Sequence, residues 1–214
     1  YRCAFEGTAR FGGAEFGYKF SLQGSRFSEV SSLFLETPEC EDSYRQTINA
    51  VRVFSYYGSS ASMPRGALDA FRMGIGGSLY ISSEIRRFET KKNAGDLYSF
   101  GRISFTDSKV GGRLVVSGAC IIKTCDFVVN RTKPMASLEL AGIHVARNLH
   151  LSDGFFGIGT TILSRAKIGG SLLITKAKFA VDGDQDFALL AENMIVENEV
   201  IVDHGCIFSG KTSF

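Results

Sequence analysis

The sequence predicts an all-β chain wound as a parallel β-helix, a β-solenoid of square, four-sided coils with loop inserts at one corner. Three observations lead there. Apolar residues alternate with period two in short pairs, the mark of strands with one buried face. The pairs come in sets of four, with room for a turn after each. The sets then recur six times along the 214 residues, as in stacked repeat architectures.

The clearest set is Thr161/Leu163, Ala166/Ile168, Leu172/Ile174 and Ala177/Phe179, whose second members stand five, six and five residues apart. The other sets align on it through Phe16, Ile75, Val110, Val145 and Val196, each the counterpart of Ile168. The first side then collects Ala9/Phe11, Leu68/Ala70, Ile103/Phe105, Leu138/Leu140 and Leu189/Ala191. The second collects Ala14/Phe16, Met73/Ile75, Ser108/Val110, Ile143/Val145 and Met194/Val196. On the third stand Phe20/Leu22, Leu79/Ile81, Leu114/Val116, Leu149/Leu151 and Val200/Val202. The fourth reads Ser25/Phe27, Ala119/Ile121, Gly154/Phe156 and Gly205/Ile207, while the Ile75 coil slips at Glu84 and recovers near Ile85 or Phe88.

Between the coils, residues 28–67 break the pattern as an irregular insert or degenerate coil. Asp42 or Ser43 could cap a short helix there, and a strand through Val51 and Val53 is an equal alternative. The remaining inserts, 87–102, 122–137, 157–160 and 180–188, are expected at one corner after the fourth side, which would line them up along one edge of the stack. Gly76-Gly77, Gly111-Gly112 and Gly169-Gly170 recur after the second side, where the backbone needs either positive φ or close approach to the next coil. They are not a phosphate loop, since no helix and no Lys-Ser/Thr follows.

Composition narrows the function classes. With 24 basic against 22 acidic groups, no global field points to nucleic acid or an anionic membrane, so a nucleic-acid partner is not expected. No apolar run reaches membrane-spanning length and no leader pattern is present. The chain reads as one solenoid domain, 1–214, within something longer. The five cysteines Cys3, Cys40, Cys120, Cys125 and Cys206 lack metal spacing and read as buried or incidental thiols, although Cys120 and Cys125 flank Ile121 closely enough for a local disulfide. Asn130-Arg131-Thr132 matches a short glycosylation pattern that carries little weight.

No catalytic constellation, metal set or cofactor motif emerges, and the chain is expected not to be an enzyme. His144 and His150 fall at outward offsets, and His204 stands apart from both. Asp182, Asp184 and Asp186 alternate as hard-cation ligands would, yet acidic and glycine residues are also ordinary turn formers, and an acidic turn is preferred. The candidate binding residues sit in the inserts. Arg86, Arg87, Lys91, Lys92, Lys123, Arg131 and Lys133 would form a basic strip for an acidic protein surface or a polyanion, with solvated loop charge as the plainer account. Tyr44, Tyr56 and Tyr57, together with Arg45, have the residue types of interface hot spots, or else simply cover one side of the coil.

Thr8-Ala9-Arg10-Phe11 and Gly13-Ala14-Glu15-Phe16, with a small residue alternating with Phe, resemble the pentapeptide-repeat proteins. Ala166-Lys167-Ile168-Gly169-Gly170-Ser171-Leu172-Leu173-Ile174 resembles more closely a bacterial relative whose coils carry A-x-I-G-G-x-L-x-L. The resemblance spans most of the chain outside 28–67 and implies a right-handed quadrilateral β-helix. It implies no active site, because its motif residues form the core. It points to a non-enzymatic interaction or scaffold module with a protein partner, and to end-to-end self-association at the open coil ends. The expected setting is the bacterial cytoplasm, or a secreted effector whose solenoid arm positions a separate catalytic domain. A carbohydrate-binding or carbohydrate-active solenoid is the remaining alternative. The acidic DNA mimicry known in the family does not suit this near-neutral chain.

Overall fold

The computed structural model describes residues 4–6, 9–23, 25–28, 68–82, 97–122, 136–181, 186–203 and 205–214. These form 26 short strands and no helix. The strands assemble into two seven-stranded and two six-stranded sheets, in which each strand pairs with those four places before and after it in chain order. The pairings are parallel throughout, from Ala4–Glu6 on Arg26–Ser28 to Lys178–Ala180 on Ile207–Ser209. The chain is therefore an all-β parallel β-helix, each circuit adding one strand to each of four sheets.

Period-two alternation explains why these segments are strands and why they stack. In the second sheet Phe16, Ile75, Val110, Val145, Ile168 and Val196 are successive register partners. In the third, Phe20, Leu79, Leu114, Leu149, Leu172 and Val200 pair in turn. The first sheet runs Ala9, Leu68, Ile103, Leu138, Thr161 and Leu189. Each column places like side chains about 4.8 Å apart, and the middle coils close over them completely, with Leu114, Val145, Leu149 and Leu172 fully buried. Burying a side chain of this size contributes roughly 1.5–3 kcal/mol.

The buried hydroxyls of this core are not treated alike: those of Ser82 and Thr161 have no hydrogen-bond partner among the described residues, whereas that of Ser108 is satisfied. Ser108, at an inward position of the second side, accepts from the Met73 N–H at 3.0 Å and donates to the Ala70 carbonyl at 2.7 Å. One hydroxyl thus ties two coils together across the turn between first and second sides. That turn is the same in every coil: Gly13, Arg72, Asp107, Gly142, Arg165 and Asn193 occupy it with φ of 70°, 54°, 53°, 65°, 61° and 56°. The left-handed region costs a non-glycine residue about 1–2 kcal/mol, so the tight turn is imposed on Arg72 and Arg165 by the stacking on either side.

The glycine pairs serve close approach, the second of the two expected reasons. None of Gly76, Gly77, Gly111, Gly112, Gly169 and Gly170 is among the glycines with positive φ. A Cβ on Gly169 would instead sit 2.7 Å from the Ala146 carbonyl oxygen, and one on Gly111 would overlap the carbonyl of Gly76. The hydrogen-bond ladder continues through this turn, Gly111 N–H donating to Ile75 at 2.7 Å and Gly169 N–H to Val145 at 2.9 Å.

The fourth side departs from the sequence expectation twice. Gly154/Phe156 and Gly205/Ile207 are each displaced by one residue: Phe156 pairs with Lys178, and Gly157 with Phe179, while Ile207 pairs with Lys178 and Phe208 with Phe179. The inward aromatics are Phe155, fully buried, and Phe208, whose ring stacks on Phe179 at 4.8 Å and 2°. Ile207 is half exposed. The cause is one extra residue in the preceding turn: three positions separate Val116 from Ala119 and Ile174 from Ala177, but four separate Leu151 from Phe155 and Val202 from Cys206. Gly157 then fits opposite Phe179 because the Phe155 ring already lies 3.1 Å from where its Cβ would be.

The second departure concerns the Ile75 coil. Its fourth-side strand is Leu97–Phe100, between Arg26–Ser28 and Ala119–Ile122, while Glu84, Ile85 and Phe88 lie outside the described residues. The insert expected at 87–102 therefore contains a strand of the fourth side. The connection 83–96 leaves one side earlier than 123–135, so the inserts do not share a single corner. The inward pair of this strand is Leu97 and Ser99, and the Ser99 hydroxyl satisfies itself on the Gly101 carbonyl at 2.9 Å. Residues 28–67 are described only at Ser28.

Candidate interaction face

The candidate binding residues Arg86, Arg87, Lys91, Lys92, Lys123, Arg131 and Lys133 all lie outside the described residues, as do Tyr44, Arg45, Tyr56 and Tyr57. So do Asp182, Asp184, His204, Cys3, Cys40, Cys125 and the Asn130 sequon. The described part of the molecule offers a different set of candidates, the outward columns of the four sheets, because the same register that aligns the core aligns the surface.

The columns differ in chemistry. On the second sheet Lys109, His144 and Lys167 are consecutive partners, all exposed. On the third, Tyr80, Val115, His150, Leu173 and Ile201 succeed one another, each half-buried. The first sheet mixes Asp69, Ser104, Glu139, Ile162 and Leu190, and Glu139 accepts from Arg102 at 2.8 Å. The fourth carries Cys120, Phe156, Lys178 and Ile207, Cys120 being buried.

Local electrostatics follow from these positions. The Lys19 ammonium stands 4.6 Å from the Tyr80 ring centroid, and the Arg72 guanidinium at the same distance over Phe71, both in cation–π geometry. Burial and the nearby Arg113 guanidinium hold the His150 imidazole below the ordinary value of 6.5, with Asp153 acting the other way, so His150 is neutral at pH 7. A shallow open depression lies above Gly74, walled by Glu15, Arg72, Met73, Asp107 and Lys109. It exists because glycine takes the outward slot between Glu15 and Lys109. Among the described residues no three His, Cys, Asp or Glu gather as metal ligands.

His144 and His150 do face outward as expected from their offsets. The basic column itself was missed by sequence reasoning, although its signal was present. Lys109, His144 and Lys167 each immediately precede a core residue of the second side; attention to charge in the inserts hid the charge within the repeat.

The chain was compared with protein-family models, curated proteins and solved structures. None matches. No helix among the described residues is long and apolar enough to cross a membrane.

Proposed function

We propose that the chain is a non-enzymatic interaction or scaffold module, a right-handed and four-sided β-helix of the pentapeptide-repeat kind, working within a bacterial protein. The observation supporting this is the set of outward columns held in register on continuous sheets, each column a chemically distinct surface. Inward positions are committed to stacking, which leaves recognition to the outward columns and the inserts.

End-to-end association belongs to the same proposal. Parallel strand edges over an apolar core pair readily with another sheet. The test combines affinity capture from bacterial lysate with analytical ultracentrifugation. A protein captured by the intact chain and lost on deleting 84–95 supports the module, as does a concentration-dependent dimer abolished by Val202→Asp. A chain that captures nothing sensitive to the deletion and sediments as a monomer at all concentrations overturns it.

A further inference from the structure

The second and third sheets follow one another through the glycine turn, and the two sides of that turn are chemically opposite. In the coils carrying Val110, Val145 and Ile168, the stretch between the first and third sheets holds Lys109, Arg113, Arg147, Arg165 and Lys167 against one carboxylate, Asp107. All six are exposed. Lys109, His144 and Lys167 stand in direct register, about 4.8 Å apart from strand to strand. Lys109 and Lys167 flank His144 at outward positions, so core packing gives no reason for this arrangement. In the same column Glu15 and Gly74 precede Lys109, and Ile195 follows Lys167.

The turn into the third sheet has no side-chain ridge at Gly111-Gly112 and Gly169-Gly170, where the neighbouring coil fills the space a Cβ would need, while the coil between them carries Ala146 and Arg147 there and Arg113 follows its own pair. Past it lies the apolar column of the third sheet, Tyr80, Val115, Leu173 and Ile201, interrupted only by His150. Exposed cations before and within this turn, followed by an apolar row, are the composition of an interfacial membrane element. Its basic groups meet anionic headgroups while the apolar side chains enter the boundary with the acyl chains. A nucleic-acid duplex would use the cations and leave the apolar row without a role.

We infer that the edge shared by the second and third sheets docks on a bilayer carrying anionic lipid headgroups. This rests on the interaction-module reading and names the surface it engages; the two are tested separately, by protein capture and by vesicle binding.

The experiment is co-sedimentation of the 214-residue chain with vesicles of phosphatidylcholine alone and with a quarter of phosphatidylglycerol, with a short DNA duplex as competitor. Binding is expected only to the anionic vesicles and is weakened by salt. Lys109→Gln with Lys167→Gln should lower partitioning about 30-fold, each cation near the surface contributing roughly fivefold. Leu173→Ser should remove the salt-resistant remainder, and Lys178→Gln, on the fourth sheet, should change nothing. Unchanged melting curves show that the variants keep their fold. Equal binding to both vesicle types, absence of binding, or indifference to the double substitution overturns the inference. Displacement by the duplex does so too and reassigns the cations to nucleic acid.

Discussion

The second and fourth sheets are built by the same chain in the same circuits, yet one could be counted from the sequence and the other could not. Every second-side partner from Phe16 to Val196 falls where the repeat places it. On the fourth side Phe156 and Ile207 are each displaced by one residue from the inward position. The difference lies in the preceding turns. The turn into the second side has constant length and a constant left-handed residue, whereas the turn into the fourth absorbs an extra residue at Asp153 and again near Gly205. Because strand periodicity is two, a single added residue exchanges the inward and outward sets, and only packing then decides which residue fills the core.

The largest expected effect tests the regular sheet. Ile168→Asp puts an unpaired carboxylate into a fully stacked column, where burial of charge has no compensation. Thermal melting by circular dichroism should show no cooperative transition, and a soluble, cooperatively melting variant would place Ile168 outside the core. Next comes the displaced side. Phe155→Ala should cost about 3–5 kcal/mol in chemical denaturation, whereas Phe156→Ala, only partly buried, should cost less than about 2 kcal/mol. The reverse order would restore the register counted from the sequence. Ser108→Ala, which leaves the Met73 N–H and Ala70 carbonyl without that partner, should cost about 1–3 kcal/mol.

Two smaller effects sharpen the contrast. Arg165→Gly relieves a φ of 61°, and glycine tolerates that region without penalty; stability should be retained or rise by about 1 kcal/mol. A loss of stability would mean that the Arg165 side chain, not the turn, matters there. His150 is half-buried, flanked in its column by Val115 and Leu173, and disfavoured as a cation by burial and Arg113 against the pull of Asp153. Its folded pKa lies below 6.5, so the unfolded chain binds that proton more readily. Stability is complete above 6.5 and declines as pH falls through that value toward the folded one. His150→Asn should flatten this part of the pH–stability profile, and an unchanged slope would assign the loss to other groups.

The sequence carried the fold to the extent that its alternation was strictly local. Thr161, Ala166, Leu172 and their counterparts announce strands because each pair is self-contained and its spacing repeats. Leu97-Tyr98-Ser99-Phe100 escaped because residues 83–96 stand between it and the strand ending at Ser82, so the repeat spacing no longer places it. The candidate face was legible in principle at Lys109, His144 and Lys167. Their significance depends on which lysines become neighbours, and that follows only once the strands between are paired.

The turn shared by Gly13, Arg72, Asp107, Gly142, Arg165 and Asn193 is also where this rod can be shortened. Leu140 and Leu163 hold equivalent positions before it, so excising 141–163 would join Leu140 to Ser164 with the joint already in the right conformation. The product would be one storey lower, with its remaining floors still aligned. A molecule whose height is set by how many times one hinge-free landing recurs can gain or lose length by recombination without redesigning its interior.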